Sequence, residues 1–245
     1  MAKLRHIAFI VKEPKKLYDF YHHLFGVEQV RHGPTGAIHV IDGLFNLAFL
    51  KQSFSEGPVV NTHRADGEEI DQTQGINHYG FLVDNVEKTL SRLDSSVPRG
   101  DTPQNGRPAE MRIIDPWGNK VDLSARGFLG REEKRLPGVR YVVIQTETPE
   151  RAAQFYKSVF DLEEIGKASD GSLRLSDGDI TLELTKKQSI GKPGIQYFGV
   201  QVADWSHAKS RCKEIGLDLP DAEDREVQLT DPEGNLFAVS ERGWQ

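Results

Sequence analysis

Slid along itself by 135 residues, the 245-residue chain repeats. Residues 4–25 (LRHIAFIVKEPKKLYDFYHHLF) fall on residues 139–160 (VRYVVIQTETPERAAQFYKSVF), pairing Arg5 with Arg140, Pro14 with Pro149, Phe20 with Phe155, Tyr21 with Tyr156 and Phe25 with Phe160. The same shift lays Asp42-Gly43 on Asp177-Gly178. A second register, 119 at its start and 116 at its end, lays Gly75-Ile76 on Gly194-Ile195 and Asp115-Pro116 on Asp231-Pro232, and the closing stretches LSARGF and VSERGW match as well. A repeat constrains architecture before any residue has a role, because each copy must bury equivalent faces. The chain therefore reads as two homologous halves, 1–127 and 137–245. Between them lies a linker, 128–136, where the charged run GREEKRLP has the composition of a solvated connector.

Each half divides again. RHIAFIV (5–11) and NHYGFLV (77–83) share the order polar, His, apolar, small, apolar, and both read as strands followed by a helix. Over 15–25, Leu17, Phe20, Tyr21, Leu24 and Phe25 recur at helical spacing, with Pro14 near the start and Gly26 just past the end. Strands are expected over 28–31, 37–41 and 44–51, the last two joined by Asp42-Gly43 as a two-residue hairpin. The second unit is fainter: a helix near 86–93, then strands near 110–114 and 120–124 around the turn Asp115-Pro116-Trp117-Gly118-Asn119. Four strand-helix-three-strand units result, an α+β chain. Two long loops, 52–74 and 100–109, exceed the usual connection length. The first suits a plain connector by its length, and a lid over a site by its Phe54, Pro58, Val59 and His63.

Composition narrows the function. The net charge is −6, from 31 basic and 37 acidic residues, and no clustered basic excess marks a nucleic-acid footprint. Apolar runs such as 7–11 fall far short of the roughly 18–20 residues that span a bilayer, and MAKLRHIAF lacks the apolar stretch of a signal peptide, so a cytoplasmic protein without membrane or nucleic-acid partners is expected. The single cysteine, Cys212, allows neither an internal disulfide nor a Cys-based zinc site. A metal would need His and carboxylate.

The opening HIAFIV, the closing DPWGNKVDLS, the two DPxGN turns (Asp115 to Asn119, Asp231 to Asn235) and the FY pairs Phe20-Tyr21 and Phe155-Tyr156 resemble the vicinal oxygen chelate superfamily of glyoxalases, extradiol dioxygenases and bleomycin-resistance proteins. The resemblance covers nearly the whole chain. It implies four βαβββ modules pairing into two half-open β-barrels, each with a concave side that can carry a divalent metal on the opening and last strands of its units. Those positions are His6, Ala48, His78 and Asp122 in the first half, and Tyr141, Glu183, Tyr197 and Ala238 in the second. By this resemblance the first half holds the metal and the second has lost it. Asp122 departs from the glutamate more usual in the family, being one methylene shorter.

The residues support the same centre on other grounds. Alternation places His6 in phase with Leu4, Ala8 and Ile10, and His78 with Ile76, Gly80 and Leu82. A lone histidine so placed is more often a satisfied core residue than a ligand. Two at equivalent positions of a repeat, lost together with the carboxylate in the other half, reverse that weighting. Two histidines and one carboxylate with open positions suit non-haem Fe(II), with Mn, Zn or Ni as the other candidates. His22 and His23, on the first helix, are expected to be solvated, and Tyr79 to face away from His78. His39 and His63 are the candidate proton-transfer residues, and Asn46 a further substrate contact. Phe9, Phe81 and Trp117 are expected to pack, and Phe128 and Trp244 to cover sheet edges. The favoured function is an extradiol-type dioxygenase acting on a small, catechol-like, oxygen-chelating substrate. A glyoxalase-type lyase or isomerase and a non-catalytic small-molecule binder are the alternatives, and a homodimer is the favoured assembly, although one chain has enough units to close both barrels.

Overall fold

The computed structural model describes residues 1–33, 35–52, 74–100, 109–168, 170–186, 194–222 and 225–244. The first half runs β1 (Lys3–Val11), α1 (Pro14–Phe25), β2 (Glu28–His32), β3 (Ile38–Ile41), β4 (Asn46–Lys51), β5 (Gly75–Leu82), α2 (Val86–Leu90), β6 (Met111–Ile114) and β7 (Lys120–Ser124). The second runs β8 (Gly138–Thr146), α3 (Pro149–Phe160), β9 (Glu163–Lys167), β10 (Leu173–Ser176), β11 (Thr181–Lys186), β12 (Gly194–Gln201), α4 (Trp205–Glu214), β13 (Glu226–Thr230) and β14 (Leu236–Ser240). Each half builds its own seven-stranded mixed sheet, in the orders β2-β3-β4-β1-β5-β7-β6 and β13-β14-β12-β8-β11-β10-β9. At the centre of the first, β1 and β5 pair antiparallel, and each runs parallel to the last strand of its own unit, β4 or β7. In the second unit of that half, the outermost strand shrinks to a bridge between Arg99 and Ile113 among the described residues. No helix there is long and apolar enough to cross a membrane.

The helix expected over 15–25 forms from Pro14 onward, because proline suits the first turn, where its missing N–H costs nothing. It stops at Gly26, whose left-handed φ of 66° lets its N–H bond back to His22 O. Leu17, Tyr21, Leu24 and Phe25 form its buried face. That face serves both sheets: Tyr21 lies 5.8 Å from Phe49 of its own half, and 5.8 and 5.7 Å from Phe198 and Phe237 of the other. Reciprocally, Phe160 of α3 stacks on Phe81 of β5 at 4.1 Å. A single core therefore runs through both halves.

Buried polar bonds repeat this exchange. The Asp115 carboxylate closes its own turn, accepting from Trp117 N and Asn119 N, and also accepts from the hydroxyl of Tyr156 in the other half at 2.7 Å. Asp231 does the same for Glu233 N, Asn235 N and the hydroxyl of Tyr21 at 2.8 Å. A second pair of aspartates holds the first strand of the opposite half. Asp42 accepts from Val139 N and Asp177 from Leu4 N, each at 2.6 Å.

One expectation is shifted by a residue. Asp42 N donates to Phe45 O at 3.2 Å, so the two residues between the strands are Gly43 and Leu44 rather than Asp42 and Gly43, and the Asp42 carboxylate turns inward to accept from Leu44 N and Phe45 N. The charged segment after residue 128 is largely exposed, as a solvated connector should be, and it is also tethered. Glu132 pairs with the buried Arg5 at 3.0 Å, Arg131 and Arg135 with Glu28 at 2.9 and 2.8 Å, and Lys134 with Asp179.

Burial pushes the Asp115 carboxyl above its ordinary range, so its remaining hydrogen bonds matter. Tyr156→Phe removes a donor from a carboxylate that is 2 % exposed and should cost about 1–3 kcal/mol of unfolding free energy in urea titrations. Tyr18→Phe, at a half-buried tyrosine of α1, serves as the control and should be near neutral.

Candidate metal centre

Side chains directly opposite one another in a sheet lie on the same face. One row across the first sheet reads Asn46, His6, Gly80, Asp122, Arg112, and the next reads Arg31, His39, Ala48, Ala8, His78, Lys120. The candidate ligands thus sit on two adjacent rows. His6 and Asp122 are separated by a glycine, and His78 stands one row away. Their ligand atoms lie within 4.8 Å of one another, and among the described residues this is the one group of three or more such side chains found in that arrangement. His78 Nε2 is 3.4 Å from Asp122 Oδ2, and the two imidazole rings are 5.4 Å apart.

Strict alternation, which put Leu4 with His6 and Ile76 with His78, does not hold. β1 and β5 slip register on both sides of the site, between Leu4 and His6 and between Ala8 and Phe9. The extra residues are Arg5 and Asn77. Leu4 is turned opposite Phe81 into the main core, and Ile76 packs against that core too. Bulges of this kind re-aim side chains, and here they turn Leu4 and Ile76 away from the histidines while Ala8 and Gly80 stay on the concave face with them.

Each histidine has an amide on its inner nitrogen. Asn46 donates from Nδ2 to Val40 O at 3.0 Å, so its Oδ1 faces His6 Nδ1 at 2.7 Å and must accept the proton there. The lone pair of His6 Nε2 is then left for a metal. Asn77 Oδ1 stands 2.9 Å from His78 Nδ1, an equivalent arrangement. Burial, reinforced by the charges of His39 and Arg112, pulls the His6 pKa down to about 3, so His6 is neutral near pH 7, as a ligand must be. The chemistry of this donor set, two imidazole nitrogens oriented by second partners and one carboxylate, fits a divalent transition metal.

Phe128 lies parallel to the His6 ring at 4.9 Å, and Trp244 lies parallel to Tyr141 at 4.7 Å. These two rings were expected to cover sheet edges; instead each caps the first residue of its site. Their closeness requires glycine beneath them, since a Cβ on Gly80 would lie 2.6 Å from Phe128 and one on Gly199 2.5 Å from Trp244. Asp122 is held by Arg112 through two contacts, Nε to Oδ1 at 2.5 Å and Nη2 to Oδ2 at 2.9 Å. Asn77 and Arg112 carried no signal in the sequence. Asn46 did, as a residue on the Ala48 face, but its partner is His6.

In the second half the corresponding positions are filled differently. Tyr141 and Tyr197 stand for the histidines and Ala238 for the aspartate, while Glu183, at the position of Ala48, accepts from Arg174 at 2.7 Å. Thr181, at the position of Asn46, bonds Trp244 O instead of a ring nitrogen. Gln196, at the position of Asn77, keeps an amide but donates it to Gly194 O at 2.9 Å. Elsewhere, Tyr79 points into the core as expected, its hydroxyl against Tyr156. His22 and His23 are not simply solvated, since they bond Val27 O and Arg211 O, outside the site. His63 and the rest of 53–73, the segment read as a connector or a lid, lie outside the described residues.

Family models match both halves: the Glyoxalase/Bleomycin resistance protein/Dioxygenase superfamily over residues 3–123, and a glyoxalase-like domain over 141–240. A search of curated proteins finds no significant match. Among solved structures, the chain is similar to the 2,3-dioxygenase LapB from Pseudomonas sp. KL28, with a TM-score of 0.70 at 13% identity, covering 99% of this chain and 92% of that one. It is also similar to the Mn(II)-bound glyoxalase from Novosphingobium aromaticivorans, with a TM-score of 0.70 at 14% identity and coverage of 97% and 81%. A third is homoprotocatechuate 2,3-dioxygenase from Brevibacterium fuscum in complex with 3,4-dihydroxyphenylacetate, with a TM-score of 0.67 at 12% identity and coverage of 99% and 81%. At these identities the likeness is one of fold.

The Asn46 contact is testable apart from any activity. Asn46→Ala should leave the protein folded but lower metal affinity about 10–100-fold, read by competition with a chromophoric chelator. Unchanged affinity would show that His6 is oriented without it.

Proposed function

The chain belongs to the glyoxalase/bleomycin resistance protein/dioxygenase superfamily, and on that footing we propose that it is a metal-dependent enzyme, an extradiol-type dioxygenase acting on a small, catechol-like substrate in its first half. The observation that carries this reading is the buried group His6, His78 and Asp122 together with Ala48, whose methyl group cannot supply a fourth ligand. Three protein donors on one side leave the remaining positions to substrate and dioxygen, which suits Fe(II). A four-ligand glyoxalase-type centre suits this chain less well. Residues 1–127 form the catalytic domain in this reading, 128–136 the connection, and 137–245 a domain that keeps the fold without the metal.

A bound divalent iron would supply Lewis acidity towards the substrate oxygens and the redox capacity to use dioxygen. The protein supplies the rest. His6 and His78 present Nε2 because Asn46 and Asn77 occupy their inner nitrogens. Phe128 shields the His6 ring from water and gives the concave face an apolar wall for a planar substrate. His39 sits opposite Ala48 and close enough to His6 to influence it electrostatically. It is the residue assigned to take a proton from a substrate hydroxyl at a ring nitrogen, and His63 is the second candidate.

Metal analysis of protein purified anaerobically without a chelating tag should find near-stoichiometric iron, lost in His78→Ala. Oxygen uptake with a catechol panel should then follow, and His39→Ala should lower turnover about 10²-fold or more while metal content is kept. Zinc or manganese without oxygen uptake would move the reading to lyase or isomerase chemistry, tested with methylglyoxal and a thiol. No metal after reconstitution, with small ligands still bound, would leave a binding protein.

A further inference from the structure

The only carboxylate among the three candidate ligands is already engaged. Both oxygens of Asp122 face the guanidinium of Arg112, and the one nearer His78 is the one that accepts from Arg112 Nη2. The three ligands are buried, with His6, His78 and Asp122 5 %, 7 % and 4 % exposed, while the Arg112 side chain is 19 % exposed at their edge. An imidazole must be neutral to offer a lone pair to a metal, so neither histidine would add charge. Asp122 and Arg112 cancel, so the three candidate ligands, taken with Arg112, would offset neither of the two positive charges that a divalent ion would bring. Uncompensated charge in a buried site is expensive, and a ligand that neutralises it repays that cost.

We propose that Arg112 couples the two occupants of the site, so that metal binds weakly alone and tightly with a chelating dianion. The inference rests on the metal-site reading above and deepens it by giving Arg112 a part in how that site is filled. A dianion on the metal restores neutrality, and Arg112 stays on Asp122 throughout. Because the coupling is thermodynamic, the dianion must raise metal affinity by the same factor by which metal raises affinity for the dianion.

The test uses Mn(II), which reports its free concentration by electron paramagnetic resonance, with 4-nitrocatechol as the chelating probe, under anaerobic conditions. In the wild-type protein and in Arg112→Lys, which keeps the charge, the probe should tighten Mn(II) binding about tenfold or more. Arg112→Gln keeps a hydrogen-bond donor for Asp122 but no charge. It should bind Mn(II) alone several-fold more tightly, and the probe should then add roughly threefold or less. Thermal melts of each variant confirm folding. Weaker Mn(II) binding in both variants would mean that Arg112 only positions Asp122, and an undiminished probe effect in Arg112→Gln would mean that the charge is irrelevant; either overturns the inference while leaving the metal site standing. Failure of the wild-type protein to bind Mn(II) with or without the probe would instead sink the metal-site reading, and the coupling with it.

Discussion

Everything in this molecule hangs on buried aspartates that serve the opposite half of the chain. Asp115 and Asp231 each close a five-residue turn and accept a tyrosine hydroxyl from a helix of the other half, while Asp42 and Asp177 each accept from the backbone of the other half's first strand. A carboxylate in so dry a setting is stable only with several donors, and here some of those donors come from the repeat partner. Each half thus supplies a donor to the closing turn of the other. The aromatic packing follows the same rule, since α1 and α3 fill the space between the sheets and each touches both. This interlock holds β1 and β5 rigidly from behind, which is what a centre built from one residue on each of three strands requires.

On that scaffold the concave faces are free to diverge. Both halves keep the register slips between their central strands, the aromatic ring stacked on the first site residue and the glycine beneath it. The substituents differ as sets. Histidine with its amide partner gives way to tyrosine with threonine or glutamine nearby, and the arginine–carboxylate pair moves from β6–β7 in the first half to β10–β11 in the second. A ligand, its orienting partner and its counter-charge thus behave as one unit. Removing one member leaves the others buried without compensation, so partial versions of such a centre are disfavoured.

Much of the plan was legible in the chain. The repeat, the helices at 15–25 and its copy, the closing turns and the equivalence of His6 and His78 all follow from local rules: helical spacing, proline and glycine at helix ends, aspartate in turns, and a period that recurs. Those rules concern neighbours along the chain, and the residues that obey them sit a few positions apart. The bulges escaped the same reading, because alternation assumes an unbroken ladder and the slips at Arg5 and Asn77 appear only when two strands are paired.

What the sequence determined by itself is the identity and the spacing of the candidate metal ligands and the repeated frame that carries them. What the tertiary structure decided is whom each side chain meets. Asn46 turned from a substrate contact into the partner of His6, Phe128 from an edge cover into the wall of the site, and Arg112 from an unremarked strand residue into the counter-charge of Asp122. These meetings depend on strand register and on the curvature that brings one face of a sheet together. Both are set by packing against the other half of the molecule, more than a hundred residues away along the chain.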